Sequence, residues 1–382
     1  MNPYVGSMGI TGRAIFGGPA RNNYEAWFAR ANVTYVHSAR TAIQRACAIL
    51  NLRAGDEILV PSYHCGSEVD ALLKAGACVR LFRVSQTGEI DIDDLHRRIT
   101  RATKAIYAIH YFGFPQKLSP LSEICHRKGL YLIEDCALSP LTEIAGRRIG
   151  FWGDVAVYNF PKSLPVPDGG ALVVNNPKLQ NKPWPLQSPG VFAVLGNVFR
   201  IFRPSVLRHL PPASVRLLFK LRATFRGEAG VSPERLGMPQ SYYFHPSMSN
   251  KAWSKPSAWL MRRMDLSEVR RRRRRNFSRL TKYLSAVPGL KLLFPELPAG
   301  VCPLCLPVLV PGAGQIARRL CSQSVPAIAW WAGYHRDCFN WNEFPEACHL
   351  KDNVLALPIH QQLDDSAMKF IGQKLVECLA AT

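Results

Sequence analysis

The sequence predicts an α/β protein built on a mainly parallel sheet that is covered on both faces. Three observations carry that prediction. Segments of β character alternate with helical periodicity from about residue 34 to residue 175. The β segments read as near-continuous apolar runs, as strands do when neither face meets water. After Asn176 the rhythm is lost, and a basic, apolar stretch precedes a smaller region of mixed character.

Taken in order, strands are expected at 57–61, 78–84, 104–110, 130–135, 154–158 and 170–174, with helices at 41–52, 67–75, 92–100 and 119–128 between them. From Gly169 to Gly227 there is no Asp or Glu, whereas Lys178, Lys182, Arg200, Arg203, Arg208, Arg216, Lys220, Arg222 and Arg226 sit among Phe, Leu, Val and Ile. Helices are expected there at 191–202 and 214–225, separated by Pro204 and Pro211-Pro212. A long helix over 257–283 carries six consecutive arginines, Arg270 to Arg275. Beyond it, a strand over 301–310 and helices over 316–323 and 364–379 describe an α+β unit. The chain divides on this reading into a large domain, 1–247, with the basic insertion at about 177–245, and a small domain, 248–382.

The 382 residues carry a net charge of +21 and 47% hydrophobic residues. That hydrophobic share fits a globular chain and excludes a disordered one. The charge favours anionic partners such as a phosphorylated substrate or an anionic lipid surface. No helix-turn-helix, zinc-finger or RNA-recognition pattern accompanies it, so nucleic acid is not the expected partner. Cys302-Pro303-Leu304-Cys305 has the spacing of half a zinc site, but no second pair completes it, and no metal is expected. The scattered cysteines, Cys47, Cys78 and Cys136 among them, read as buried thiols in apolar runs. No charged n-region and apolar core open the chain, and no apolar run approaches membrane-spanning length, so a cytoplasmic protein is expected.

Two residues carry the chemistry. Asp135 ends the strand Leu132-Ile133-Glu134-Asp135, and Lys162 follows the strand that ends near Tyr158. In parallel sheets, ligands bind beyond the carboxyl ends of the strands, so the two can converge on one pocket. An amine there can form a Schiff base with the aldehyde of pyridoxal phosphate (PLP). A carboxylate can hold the pyridine nitrogen protonated, so that the ring accepts electrons.

Six motifs in order extend this pattern. They are Val36-His37-Ser38-Ala39-Arg40-Thr41-Ala42-Ile43, Asp56-Glu57-Ile58-Leu59-Val60-Pro61-Ser62-Tyr63, His110-Tyr111-Phe112-Gly113-Phe114-Pro115, and Leu132 to Ala137. The last two are Gly153 to Lys162 with Gly169-Gly170, and Leu355-Ala356-Leu357-Pro358-Ile359-His360. Together they resemble the DegT/StrS family of PLP-dependent sugar aminotransferases, of the aspartate aminotransferase fold type.

The resemblance implies the type I fold of PLP-dependent transferases, and it assigns roles. Lys162 would bind the cofactor and shuttle the proton, and Asp135 would pair with the ring nitrogen. Ser38, Ala39 and Arg40 would cradle the phosphate at a helix start, with Asn159 adding a hydrogen bond. Cys65 falls at the place of the family's ring-stacking aromatic, with Tyr63 or His64 as its substitutes, and Leu138 stands where it usually has Gln. The family's partner-subunit element aligns with the segment from His245 to Ser249, so a homodimer with shared sites is implied. The substrates implied are an amino donor, glutamate, and a ketosugar, commonly nucleotide-linked, for amino-sugar or surface-polysaccharide synthesis. The alternative is a PLP-fold relative with a non-sugar or non-transamination role; an intact Lys162 separates the chain from the dehydratase branch. For the basic insertion, peripheral contact with a membrane is the expectation considered beside a structural role.

Overall fold

A computed structural model describes residues 8–29, 31–179, 184–207, 240–335 and 339–380. The larger sheet has seven strands in the order β1-β9-β8-β5-β4-β2-β3. They are β1 (Val33–Val36), β2 (Glu57–Pro61), β3 (Cys78–Phe82), β4 (Thr103–Ile109), β5 (Tyr131–Asp135), β8 (Val155–Asn159) and β9 (Gly170–Val174). The hairpin β6 (Glu143–Ile144) and β7 (Arg147–Arg148) stands apart. The five strands β8-β5-β4-β2-β3 run parallel, and β9 and β1 add antiparallel pairs at one edge.

Strands β4, β5, β8 and β9 are buried almost throughout, which their apolar runs foretold. Helices Ala39–Ile49, Ser67–Lys74, Ile92–Arg98 and Leu118–Lys128 cover the sheet between them. Strand β1 was not anticipated. It is short and half-buried, and its register against β9 (Val36 opposite Gly170) fixes the turn that follows it.

A second sheet, ordered β10-β11-β13-β12, is wholly antiparallel: β10 (Lys291–Leu292), β11 (Cys305–Leu309), β12 (Ile328–Ala329) and β13 (Val354–Pro358). Helices Leu266–Leu284, Ala313–Ser322 and Asp365–Ala380 pack around it. One hydrophobic core runs continuously from the larger sheet into this one, through residues such as Phe112, Phe277 and Leu306.

Four expectations need correction. The helix expected over 257–283 is two helices, Lys255–Arg263 and Leu266–Leu284. The break falls at Met264 and Asp265, where Asp265 accepts from the N–H groups of Ser267 and Glu268 as an N-cap. The strand expected over 301–310 begins only at Cys305, because residues 302–304 bond outward: Leu304 N–H donates to Phe112 O at 2.7 Å and Cys302 N–H to Thr142 Oγ1 at 2.9 Å. Helix Val191–Leu207 continues past Pro204 at the loss of one backbone donor. Cys78, read as buried, is exposed at the start of edge strand β3. The helix expected over 214–225 lies outside the described residues.

Candidate active site

The site is assembled by the carboxyl ends of the parallel strands. Strand β1 ends at Val36, and Ser38 then caps helix Ala39–Ile49, its Oγ accepting from Thr41 N–H. The helix start lies hard against β9. A Cβ at Gly170 would stand 2.7 Å from the Ser38 carbonyl carbon and 2.8 Å from Ala39 N, so only glycine lets the two backbones meet. The resulting helix N-terminus opens onto a cavity of about 850 Å³.

Strand β5 delivers Asp135 to the same cavity, the end of β8 delivers Asn159, and the turn after it delivers Lys162. Asp135 is buried and held from two sides: Tyr107 Oη donates to its Oδ2 and Ala137 N–H to its Oδ1, both at 2.8 Å. Burial, and then the Glu68 carboxylate, push its carboxyl above the ordinary range, while the Lys162 ammonium pulls the other way.

Of the expected site residues, the structure gathers Ser38, Ala39, Arg40, Cys65, Asp135, Asn159 and Lys162 on the cavity wall, with Leu138 beside them. Arg40 is turned from the expected direction: its Nη1 donates to the carbonyls of Ser241, Tyr242 and Tyr243, each at 2.9 Å. It therefore ties the segment around residue 242 over the helix start. Tyr63 and His64 do not line the cavity. Tyr63 is buried against Tyr111 and Trp331, and the fully buried His64 ring packs beside Trp341. His245 is exposed, its Nδ1 paired with Ser247, away from the cavity of its own chain.

Several wall residues were not anticipated. Glu68, near the start of helix Ser67–Lys74, is buried and accepts from Cys65 N–H at 3.0 Å and from the Cys65 thiol at 2.6 Å. Burial pushes that thiol up to about 12, so Cys65 stays protonated and donates. Arg200, Tyr242, Trp330 and Trp331 also line the wall. Arg273, the fourth of the six arginines, also reaches it: Nη1 donates to Leu304 O at 2.7 Å, Nη2 to Ser163 O at 2.9 Å and Nε to Gln361 Oε1 at 2.9 Å. The D-x-x-E pair of Asp265 and Glu268 was the one available sign of where its helix begins.

His110, Glu134 and Cys136 form a buried trio outside the cavity lining. His110 Nδ1 accepts from Gln116 N–H, which leaves Nε2 to donate to Glu134 at 3.2 Å. Glu134 in turn accepts from the N–H groups of Gly150, Trp152 and Gly153, bracing the loop before β8.

Comparisons with known proteins give the chain's relatives. A GDP-perosamine synthase of Vibrio cholerae is 30% identical over 165 residues, 42% of this chain and 45% of that protein, so the matched part spans under half of that relative. A dTDP-4-dehydro-2,3,6-trideoxy-D-glucose 4-aminotransferase of Saccharopolyspora spinosa is 26% identical over 94% of this chain and 90% of its own length. Among solved structures, the aminotransferase PseC of Helicobacter pylori, involved in the biosynthesis of pseudoaminic acid, superposes with a TM-score of 0.69 at 14% identity, covering 99% of both chains. The fold is thus the type I fold of PLP-dependent transferases expected from the sequence. Residues 10–198, a span that contains the helix N-terminus, Asp135 and Lys162, match the model of the DegT/DnrJ/EryC1/StrS aminotransferase family.

Proposed function

We propose that this chain is a PLP-dependent aminotransferase that transfers an amino group, with glutamate as donor, to the keto carbon of a nucleotide-linked sugar. The product would serve amino-sugar or surface-polysaccharide synthesis. The observation that carries this reading is the meeting of Lys162, Asp135 and a helix N-terminus on one cavity of about 850 Å³.

The residues present fit the cofactor chemically. The close approach at Gly170 sets the Ser38–Ala39 backbone where a phosphate can be received at a helix start. Asp135, oriented by Tyr107 and Ala137, would hold a proton at the ring nitrogen. Lys162 would hold the cofactor and carry the proton to and from the substrate carbon. The cofactor, when bound, supplies the electron sink that makes that proton labile. Trp330 and Trp331 line the same cavity and offer apolar surface to a substrate. The name of the Saccharopolyspora spinosa relative, which pairs a nucleotide-linked sugar with amino transfer, supports the substrate class.

The reading extends to a cytoplasmic homodimer in which the exposed segment around His245 completes the neighbour's site. It also extends to peripheral contact of helix Val191–Leu207 with an anionic bilayer. Val191, Phe192, Leu195 and Phe199 are exposed on one side of this helix, inside an interval with no acidic residue. No helix among the described residues is long and apolar enough to cross a membrane.

The deciding experiment supplies PLP and ¹⁵N-glutamate to the purified protein with a panel of nucleotide ketosugars. Transfer of label to one sugar supports the reading. A protein that takes up no PLP and labels nothing across the panel would refute it.

A further inference from the structure

Lys351 is a lysine that the sequence gives no reason to notice. It lies in helix Pro345–Asn353 and is 1% exposed. Its Nζ donates to three backbone carbonyls: His64 at 2.8 Å, Gly333 at 2.9 Å and Trp331 at 3.0 Å. The rings of Tyr334 and Trp341 stand 5.0 and 5.3 Å from the ammonium, close enough for cation–π attraction. No carboxylate lies within ion-pair distance of it among the described residues.

A buried cation paired only with neutral groups is costly, so its place must be enforced by what it holds. It holds two loops that meet at the cavity. One is Tyr63-His64-Cys65, whose Cys65 lines the wall beside Glu68; the other is the segment from Trp330 to Gly333, all four residues of which line it. Trp331 has a φ of +58°, a left-handed conformation that a bulky residue rarely adopts. Such a conformation persists only where its surroundings impose it. The Trp331 carbonyl bonded to Lys351 and the Trp331 ring packed on Tyr63 are those surroundings. Burial pulls the ammonium down to about 8, so at neutral pH it keeps three hydrogens for three carbonyls.

We infer that Lys351 is a positioning residue that clamps the Trp330–Trp331 loop against the cofactor-side wall and so presents the two indoles to the acceptor sugar. The inference deepens the proposed aminotransferase reading. Indole faces suit the C–H faces of a sugar or the flat face of a nucleobase.

The test uses the full chain loaded with PLP. Lys351→Met should raise acceptor KM about tenfold with kcat and PLP affinity nearly unchanged, the pattern of lost binding shared by ground and transition states. It should also speed amide hydrogen exchange in peptides covering residues 329–334. Trp331→Ala should raise acceptor KM similarly. In the double variant the two effects should not add, because one acts through the other. Unchanged exchange over residues 329–334 in Lys351→Met would overturn the clamp, as would additive effects on KM. If Lys351→Met fails to fold, Trp331→Ala with unchanged acceptor KM would overturn the role in acceptor binding. The exchange measurement needs no substrate, so a failure of the aminotransferase reading would be seen separately, as absent PLP uptake in the unaltered chain.

Discussion

Lys162 and Asp135 make different demands on a substitution, and the contrast tests their roles. Lys162→Ala removes the amine, so borohydride should no longer fix PLP to the protein and turnover should vanish. Mass spectrometry of the reduced protein reads this directly, and persistent attachment at another residue would contradict the assignment. Asp135→Asn keeps shape and an oxygen for Ala137 N–H but removes the negative charge. PLP should still bind while the rate falls at least about a hundredfold, about 2.7 kcal/mol of barrier. At this scale the sequence was legible where a residue's place follows from a strand end, as with Asp135 at the end of β5 and Lys162 after β8. Glu68, Arg273 and Lys351 were not legible. Each lies on a helix and reads as ordinary surface charge, and only packing between segments far apart in sequence buries it.

Elements were legible in proportion to their regularity. Strands β2 and β9 match their expected spans, since apolar runs bounded by turn residues leave little choice. The two-helix arrangement around Met264 was missed because charge density masked a capping signal. Asp265 accepts two N–H bonds, so Asp265→Ala should cost about 1 kcal/mol while Asp265→Asn costs far less, read as a shift in urea midpoint. Equal losses would mean that the side chain does not cap. Helix Val191–Leu207 poses a different question, since Phe192 is 90% and Phe199 71% exposed. Flotation with phosphatidylglycerol vesicles at low salt should carry the protein upward, and Phe192→Ser with Phe199→Ser should abolish it. Basic residues near an anionic leaflet each add about 1 kcal/mol, so the binding should also weaken with salt. A protein that stays at the bottom of the gradient under all conditions leaves the stripe without this role.

At the scale of the molecule, the cavity is a joint product of two sheets. Strand ends of the larger one supply Asp135 and Lys162; residues around β12 and β13 supply Trp330, Trp331 and His360. Alternating periodicity can announce each sheet but not which faces meet, because that depends on contacts across 200 residues or so of chain. The same reasoning bears on assembly. With His245 exposed and outside its own cavity, light scattering on the active protein should report a dimer. A fully active monomer would remove any role for this segment in a neighbour's site.

The arginine run offers a last consequence. Around helix Leu266–Leu284 the six guanidinium groups fan out: Arg270 to Glu143, Arg271 and Arg272 back to Glu268 of the same helix, Arg273 to the cavity wall, Arg274 to the carbonyls of Pro298 and Val301, and Arg275 to that of Leu363. A protease that cuts after arginine needs an extended, unpinned backbone, and here Arg270, Arg273, Arg274 and Arg275 fasten the run to other segments of the chain. Cleavage within the run then requires opening of the helix together with what it fastens, at a free energy near that of global unfolding. Brief digestion of the native protein with trypsin should therefore spare the densest cluster of its own target sites, and early fragments ending within residues 270–275 would show that these anchors are loose.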